Sequence, residues 1–381
     1  MKKRIALDDI KAGQKFSADV YIDGQNLLVP ANIAVEQKDL NALRHWGVTF
    51  VTTEGELLKD EEPAKAEGPA REGGALPVGF VGSRELFARY SSLVDKLGVI
   101  FGKIQSKEPL EPKVVDQLSQ ALLTLVGEER DAVVSSLLGT ENRAGDLARA
   151  GINTAILSAV IGKTLRLPGY KLNYLVTGAL LHDVGMLRIP DSITKKEGAL
   201  TDDEMHKMRA HPLLSYRIIT KELLYPDDVG LVGLQHHERW DGEGYPRKTA
   251  GEEIDPLARI VSVADAFEAM VSVKSYRNSM IGYTAMKNLL SDNSRRFDPE
   301  ILKAFIKSMG IYPLGSTVLL NNAAIARVVE NHAEAPLRPK LRVIVDEFGN
   351  RFEGEKGEVL DLLTEKTLFI ARALDPKELG Q

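Results

Sequence analysis

The chain has no cysteine, which rules out disulfides and every thiolate-held metal site. Any metal must be held by His, Asp, Glu or water, donors that suit iron, manganese, zinc or magnesium. Aromatic residues make up only 6%. No apolar run reaches the roughly 18–20 residues of a membrane span. The opening, MKKRIALDDIKAGQ, has basic residues but no apolar stretch before Asp8 and Asp9, so a cytoplasmic protein is expected. Positive charge is not in excess: 49 Lys and Arg against 54 Asp and Glu leave a net charge of −5. That balance disfavours a nucleic-acid polymer as partner.

What is present is a long, globular composition, 44% hydrophobic and 27% charged over 381 residues, which implies two or three domains. Residues 1–58 alternate short strand-like pieces, SADVYI, NLLVP and VTFVTT, with one helical stretch, EQKDLNALRHWG, stopped by Gly47. They read as a small α+β module. Residues 59–82, rich in Gly, Pro, Ala and charge, read as a flexible linker. Residues 83–310 carry helical periodicity, as in LNYLVTGALLHDV, where Leu172, Leu175, Val176, Ala179 and Leu180 share one face. TDDE at 201–204 predicts a capping box, and DPE at 298–300 a capped helix start with proline in its first turn. Residues 311–381 turn to strand-like runs, STVLLNN, AIARVVEN, LRVIVDE and TLFIARAL, and predict a small β-rich domain. The expected fold is multidomain and mainly α, with a helical bundle between two small terminal domains.

Chemistry concentrates in the bundle. Five of the seven histidines lie between 182 and 237. His182-Asp183 is expected on a helix, His211 precedes Pro212 at a helix start, and His236-His237 run into ERWDGEGYP. Asp265 sits in RIVSVADAFEAM, where Ile260, Val263, Ala264, Phe267 and Met270 form an apolar stripe. Neighbouring helix residues point about 100° apart, so a doublet can address two ions or two sides of one site. A lone histidine on an apolar helix is ordinarily a hydrogen-bonded core residue, and His45 and His206 read that way. His332, in ENHAEAP, reads as a surface residue, and Asp265 alone could be a carboxylate paired with arginine. Three segments, two doublets and a Gly-rich aromatic loop together fit a two-metal hydrolytic centre better.

In their order and spacing, HDVG, HP, HHERWDGEGYP, ARIVSVADAFEAM and FDPEIL resemble the HD-GYP family, a bacterial branch of the HD-domain metal-dependent phosphohydrolases. The matching region runs from about 140 to 310, and the N-terminal module is similar, less specifically, to a small domain that often precedes it. The resemblance implies a helical bundle holding two or three ions, often iron or manganese. It implies hydrolysis of the second messenger cyclic di-GMP to the linear dinucleotide or GMP, in bacterial signal transduction. It places His182, Asp183, His211, His236, His237 and Asp265 at metal-ligand positions, with Asp183 as bridge and a metal-bound water as nucleophile. Tyr245 falls where the family contacts nucleotide. Lys274 and Arg277 fall where it holds phosphate, with the two basic residues in swapped order.

The sequence also departs from the family pattern. Ala150 stands where a ligand histidine is expected, Asp146 replaces an upstream Glu that can support a third ion, and Met186 replaces the lysine of HDxGK. One tight and one weaker metal site are therefore expected. A phosphodiesterase of reduced activity follows. Its alternative is a degenerate domain that binds cyclic di-GMP or pairs with other signalling proteins, and a homodimer is compatible with either.

Overall fold

The structure, a computed structural model, describes residues 3–7, 10–11, 14–22, 27–29, 35, 40, 48–58, 83–111, 114–139, 146–196, 198–272, 282–291, 295–352, 354 and 356–374. The chain forms two compact units, residues 1–74 and 75–381. In the first, β1 (Lys3–Ala6), β3 (Val20–Tyr21), β4 (Leu27–Val29) and β5 (Phe50–Thr53) form an antiparallel sheet in the order β1-β5-β3-β4. A second pair joins β2 (Lys15–Phe16) to β6 (Leu57–Leu58). Phe16, Val20 and Val51 are buried in its core. Strand β1 was not expected from sequence, because KRIA has one inward apolar position too few to alternate. The helix expected over 36–47 lies outside the described residues apart from Leu40, and the expected linker over 59–82 lies wholly outside them.

The second unit is mainly helical. Its first helix, α1 (Arg84–Ser106), is capped by Ser83, whose side chain accepts from Leu86 N, and buries Leu86, Tyr90, Leu93, Leu97 and Ile104 along one face. Helices α2 (Val114–Glu128) and α3 (Arg130–Gly139) follow. Helix α4 (Leu147–Thr164) is buried on nearly every side from Gly151 to Gly162, and packs against α5 (Gly169–Leu181) and α10 (Pro256–Val271). A helix that is apolar all round belongs at the centre of a bundle. Between α5 and α10 lie α6 (Asp191–Thr194), α7 (Asp202–Met208), α8 (His211–Arg217) and α9 (Asp227–Gln235). Thr201 and Glu204 form the expected capping box on α7. Helices α11 (Gly282–Ser291) and α12 (Pro299–Met309) close the bundle. Asp298 caps α12 and also takes a 2.8 Å bond from Arg259 of α10, so the FDPE turn ties both helices together. No helix among the described residues is long and apolar enough to cross a membrane.

The same unit ends in a five-stranded antiparallel sheet of β7 (Thr317–Leu320), β8 (Ile325–Glu330), β9 (Lys340–Val345), β10 (Val359–Asp361) and β11 (Ile370–Leu374), in the order β10-β9-β8-β7-β11. It joins the helices through Asn331, which donates to Met309 O at 2.8 Å, and through the stacked rings of Tyr283 and Tyr312. His332, read from sequence as a surface residue, is half-buried and bonded to Asp361 at 3.0 Å.

One close approach decides how the HDVG turn sits. A Cβ on Gly185 would stand 2.1 Å from the carbonyl oxygen of His211 and 2.6 Å from Ser215 N, both backbone atoms that cannot step aside. The Gly185 N–H also donates to the buried Ser215 hydroxyl at 2.9 Å. Gly185→Ala is expected to cost at least about 1–3 kcal/mol by overpacking and to lower the Tm by several degrees. A thermal melt equal to that of the natural chain would show that the turn can yield.

Candidate metal centre

Three histidines stand at or just past the ends of three helices. His182 follows the last residue of α5, His236 follows the last residue of α9, and His211 comes three residues after α7. Terminal carbonyls of a helix lack intrahelical partners. Each imidazole supplies one: Nδ1 of His182 bonds Ala179 O at 2.7 Å, that of His211 bonds Met208 O at 2.8 Å, and that of His236 bonds Gly233 O at 2.9 Å. Since a carbonyl can only accept, Nδ1 carries the proton and Nε2 is left as the free donor atom. All three Nε2 atoms turn towards Asp183.

Asp183 lies beyond the helix, contrary to the sequence expectation of a helical doublet. Its backbone leaves α5 (φ −100, ψ 10) to start a 3-10 turn over Val184–Arg188. Leaving the helix frees the carboxylate from the 100° spacing that would hold it apart from His182. Its Oδ1 is 3.1 Å from Nε2 of His211 and 3.4 Å from Nε2 of His236, and those two nitrogens are 3.3 Å apart. Donors about 2.1 Å from one ion, at angles near 90–110°, are themselves about 3.0–3.4 Å apart. The triangle fits one divalent cation. His237 completes a set of four, with all donor atoms within 4.8 Å of one another.

The second set is looser. Nε2 of His182 is 3.6 Å from Oδ2 of Asp183 and 3.6 Å from Oδ1 of Asp265 on α10, too long for hydrogen bonds. Nε2 of His182 and Oδ1 of Asp183 are buried without a hydrogen-bond partner. Buried orphans of this kind call for a further hydrogen-bond donor or an ion, and two facing sets of acceptor atoms call for a cation. Beside this centre, the Tyr245 ring lies 4.8 Å from that of His237 at 30°, and the guanidinium of Arg209 lies 5.4 Å from the Tyr245 centroid.

A profile described as an HD domain matches residues 112–301, and a KOW domain associated with HD domains matches residues 317–381. A cyclic di-GMP phosphodiesterase of Pseudomonas aeruginosa is 35% identical over 187 residues, covering 49% of this chain and 45% of that protein. The cyclic di-GMP phosphodiesterase PdeB of Borreliella burgdorferi is 34% identical over 194 residues, 51% of each. Residues 112–301 are an HD domain, and the relatives of this region support its place in the HD-GYP family. The chain spans about half the length of these two relatives. Among solved structures, the HD-GYP-like protein Bd1817 of Bdellovibrio bacteriovorus aligns with a TM-score of 0.48 at 16% identity, over 80% of this chain and 98% of its own.

Not every expected residue of the HD-GYP domain reaches this centre. Lys274 and Arg277 lie outside the described residues. Asp146 is occupied elsewhere: its carboxylate caps α4 by accepting from Arg149 N at 2.9 Å and pairs with the Arg149 side chain at 3.2 Å. Ala150, one turn later in α4, brings only a methyl group. Met186 lies within the 3-10 turn, its N–H bonded to Asp183 O. His206 is exposed on α7.

Sequence reasoning passed over Glu238, although it stands inside the HHERWDGEGYP motif. Its buried carboxylate accepts from Arg247 N at 2.7 Å and Thr249 N at 3.1 Å, and so holds the loop that carries Tyr245. Gln235 does similar work by accepting from Asp255 N at 2.7 Å, at the start of α10. The signal for both was a polar side chain next to a ligand doublet. Nothing local, however, named their distant backbone partners.

Electrostatics of the HD-GYP site follow from the crowding of these groups. Burial opposes the imidazolium of His182, but Asp183 and Asp265 outweigh it and lift its pKa to about 9. His211 is raised too, with Asp183 overcoming burial. Burial works against both carboxylates, yet His182 holds Asp265 down to about 2, and His182 with His211 holds Asp183 well below the usual range. Burial keeps His236 and His237 neutral, shifting both down.

Without an ion, then, a proton on His182 answers the carboxylates at neutral pH, and a bound cation must displace it. Manganese binding at pH 7.5 is expected to release about one proton, and affinity is expected to rise with pH through the His182 pKa near 9. Calorimetry in buffers of different ionisation enthalpy measures the release. No proton released would mean the imidazoles are already neutral.

Proposed function

We propose that this chain is a metal-dependent phosphodiesterase that hydrolyses cyclic di-GMP to the linear dinucleotide or GMP, acting in the cytoplasm. One observation carries the reading. The two oxygens of Asp183 face different donor sets, Oδ1 towards His211 and His236, Oδ2 towards His182. A carboxylate so placed is suited to bridge two ions. His211, His236, His237 and Asp183 would hold a tight ion, and His182, Asp183 and Asp265 a weaker one, with iron or manganese as candidates for this all-nitrogen and oxygen set. Such ions, when bound, polarise a phosphoryl oxygen and make water a nucleophile at neutral pH.

The protein's own groups do the positioning. The carbonyls of Ala179, Met208 and Gly233 hold three imidazole rings in orientation before substrate arrives. The Tyr245 ring offers a half-buried aromatic face for a base or ribose beside the phosphate site. Lys274 and Arg277 are proposed to neutralise phosphate charge. We retain residues 83–310 as the catalytic domain, with 1–58 and 311–381 as accessory modules and 59–82 as tether.

A second reading has its own support. Ala150 offers no lone pair, Asp146 is spent as a helix cap, and Met186 brings no charge to the phosphate, all of which favour a domain that binds cyclic di-GMP with little turnover. As such it would act by pairing with other signalling proteins or as a homodimer.

The test is metal analysis and cyclic di-GMP hydrolysis after expression with added iron or manganese. One firmly held ion per chain and measurable but slow hydrolysis are expected. Ala150→His with Met186→Lys is expected to raise the rate well above that of the natural chain, since one lost electrostatic group commonly costs about 10²–10³ in rate. No turnover in either protein, with binding retained, would establish the second reading.

A further inference from the structure

Away from the metal ligands, a cavity of about 700 Å³ opens where the end of α1, the start of α2 and the segment between α8 and α9 meet. Ile104, Leu110, Val115, Leu223 and the Tyr225 ring give it an apolar wall. A second cavity of about 470 Å³ adjoins it and shares Asp116, Leu224 and Tyr225. This second hollow is polar, with Ser119, Gln120, Asn173 and Thr177 along it. The two form one elongated groove with an apolar stretch and a hydrogen-bonding end.

Leu224 stands between the two hollows. Its backbone is left-handed, φ 59, a conformation that glycine adopts freely and leucine does not. The turn imposes it: a π-helical turn over Ile218–Glu222 closes with Leu223 N bonded to Ile218 O at 2.9 Å and Tyr225 N to Ile219 O at 3.0 Å. A closure of this kind ordinarily places glycine at the left-handed position. The leucine side chain is 80% exposed, so it returns little buried area to the fold for that strain. Folding alone favours glycine here, and a large apolar side chain held out over a groove points to an occupant outside the chain.

The rim says which kind. Glu108, Glu111 and Asp116 are exposed along it, and Lys107 is the one cation among the described residues that line it. Glu222 lies there as well, paired with Arg188 at 3.0 Å. An acidic rim around an apolar floor favours a cationic partner and disfavours an anionic one. The elongated shape suits a helix that presents apolar residues at every third or fourth position. We propose that this groove docks a basic amphipathic helix of a partner protein. Its apolar side chains fill the hollow beside Leu224, and its lysines or arginines meet the rim. The docked helix lies against the segment that joins α8, which begins at His211, to α9, which leads into His236.

The test uses the full chain and a fluorescent peptide of leucine and lysine alone, roughly 18 residues long so that it forms a helix with one apolar face. A matching peptide of leucine and glutamate is the control. Anisotropy titrations at low and high salt read the affinity, and thermal melts read the fold. The parent chain is expected to bind the lysine peptide about tenfold more tightly than the glutamate peptide, less so at high salt. Leu224→Gly is expected to melt at or above the temperature of the parent chain, yet to bind the lysine peptide about tenfold more weakly. Glu108→Lys with Glu111→Lys is expected to weaken binding and flatten its salt dependence. Glu358→Lys with Glu365→Lys, exposed in the β-rich domain, makes the same change of charge and is expected to leave affinity within about twofold. Equal losses in the two charge-reversal pairs would reduce the binding to general attraction and overturn the docking surface. Parent-like affinity in Leu224→Gly, equal binding of both peptides, or no binding of the lysine peptide by the parent chain would each overturn it as well. A lower melting temperature for Leu224→Gly would make Leu224 a folding residue and remove the ground for the proposal.

Discussion

Four donor atoms with too few protons among them, crowded around Asp183, set the terms for the whole domain. The triangle of Asp183 Oδ1 and the Nε2 atoms of His211 and His236, 3.1–3.4 Å on a side, cannot be satisfied by hydrogen bonds alone while each Nδ1 donates to a carbonyl. A cation resolves the arrangement, and a proton on His182 is the costlier substitute. Nearly everything around the centre keeps these atoms from relaxing apart.

The restraint comes from helix ends. Each of the three imidazoles caps a helix C-terminus, so a ring can turn away only by leaving a terminal carbonyl unpaired. Gly185 lets the HDVG turn press against the first turn of α8, and Ser215 ties it there. Gln235 links the end of α9 to the start of α10, whose later turn supplies Asp265. Bundle packing thereby becomes metal-site geometry: the central helix α4 is buried on nearly every side so that the helices around it can end at one place.

The side of the site that lacks a histidine is polar in another way. One turn after Ala150 and Asp265, Asn153 of α4 bonds Glu268 of α10 at 3.3 Å, and Asn153 also accepts from Tyr90 of α1 at 2.8 Å. The chain from Tyr90 to Glu268 is buried and closed by hydrogen bonds. It joins three helices through hydrogen bonds alone. A domain with fewer ligands can thus keep its shape, because satisfied polar networks specify packing much as an ion does.

Much of this was legible in the sequence. The donor identities, the capping box at Thr201, the cap at Asp298 and the core stripe of α10 are local: each depends on residue type and spacing within a turn or two. The family motif extended that reading to the donor set as a whole. Tertiary structure alone decided that His182 and Asp183 sit at a helix end rather than within it. It alone gave Asp183 one oxygen for each donor set, assigned Glu238 to the loop of Tyr245 and Asp146 to a cap, and brought the Arg209 guanidinium over the Tyr245 ring. Spacing along a helix determines which residues can share a face. Which helix ends meet, and which charges find no partner there, is settled only when distant segments pack.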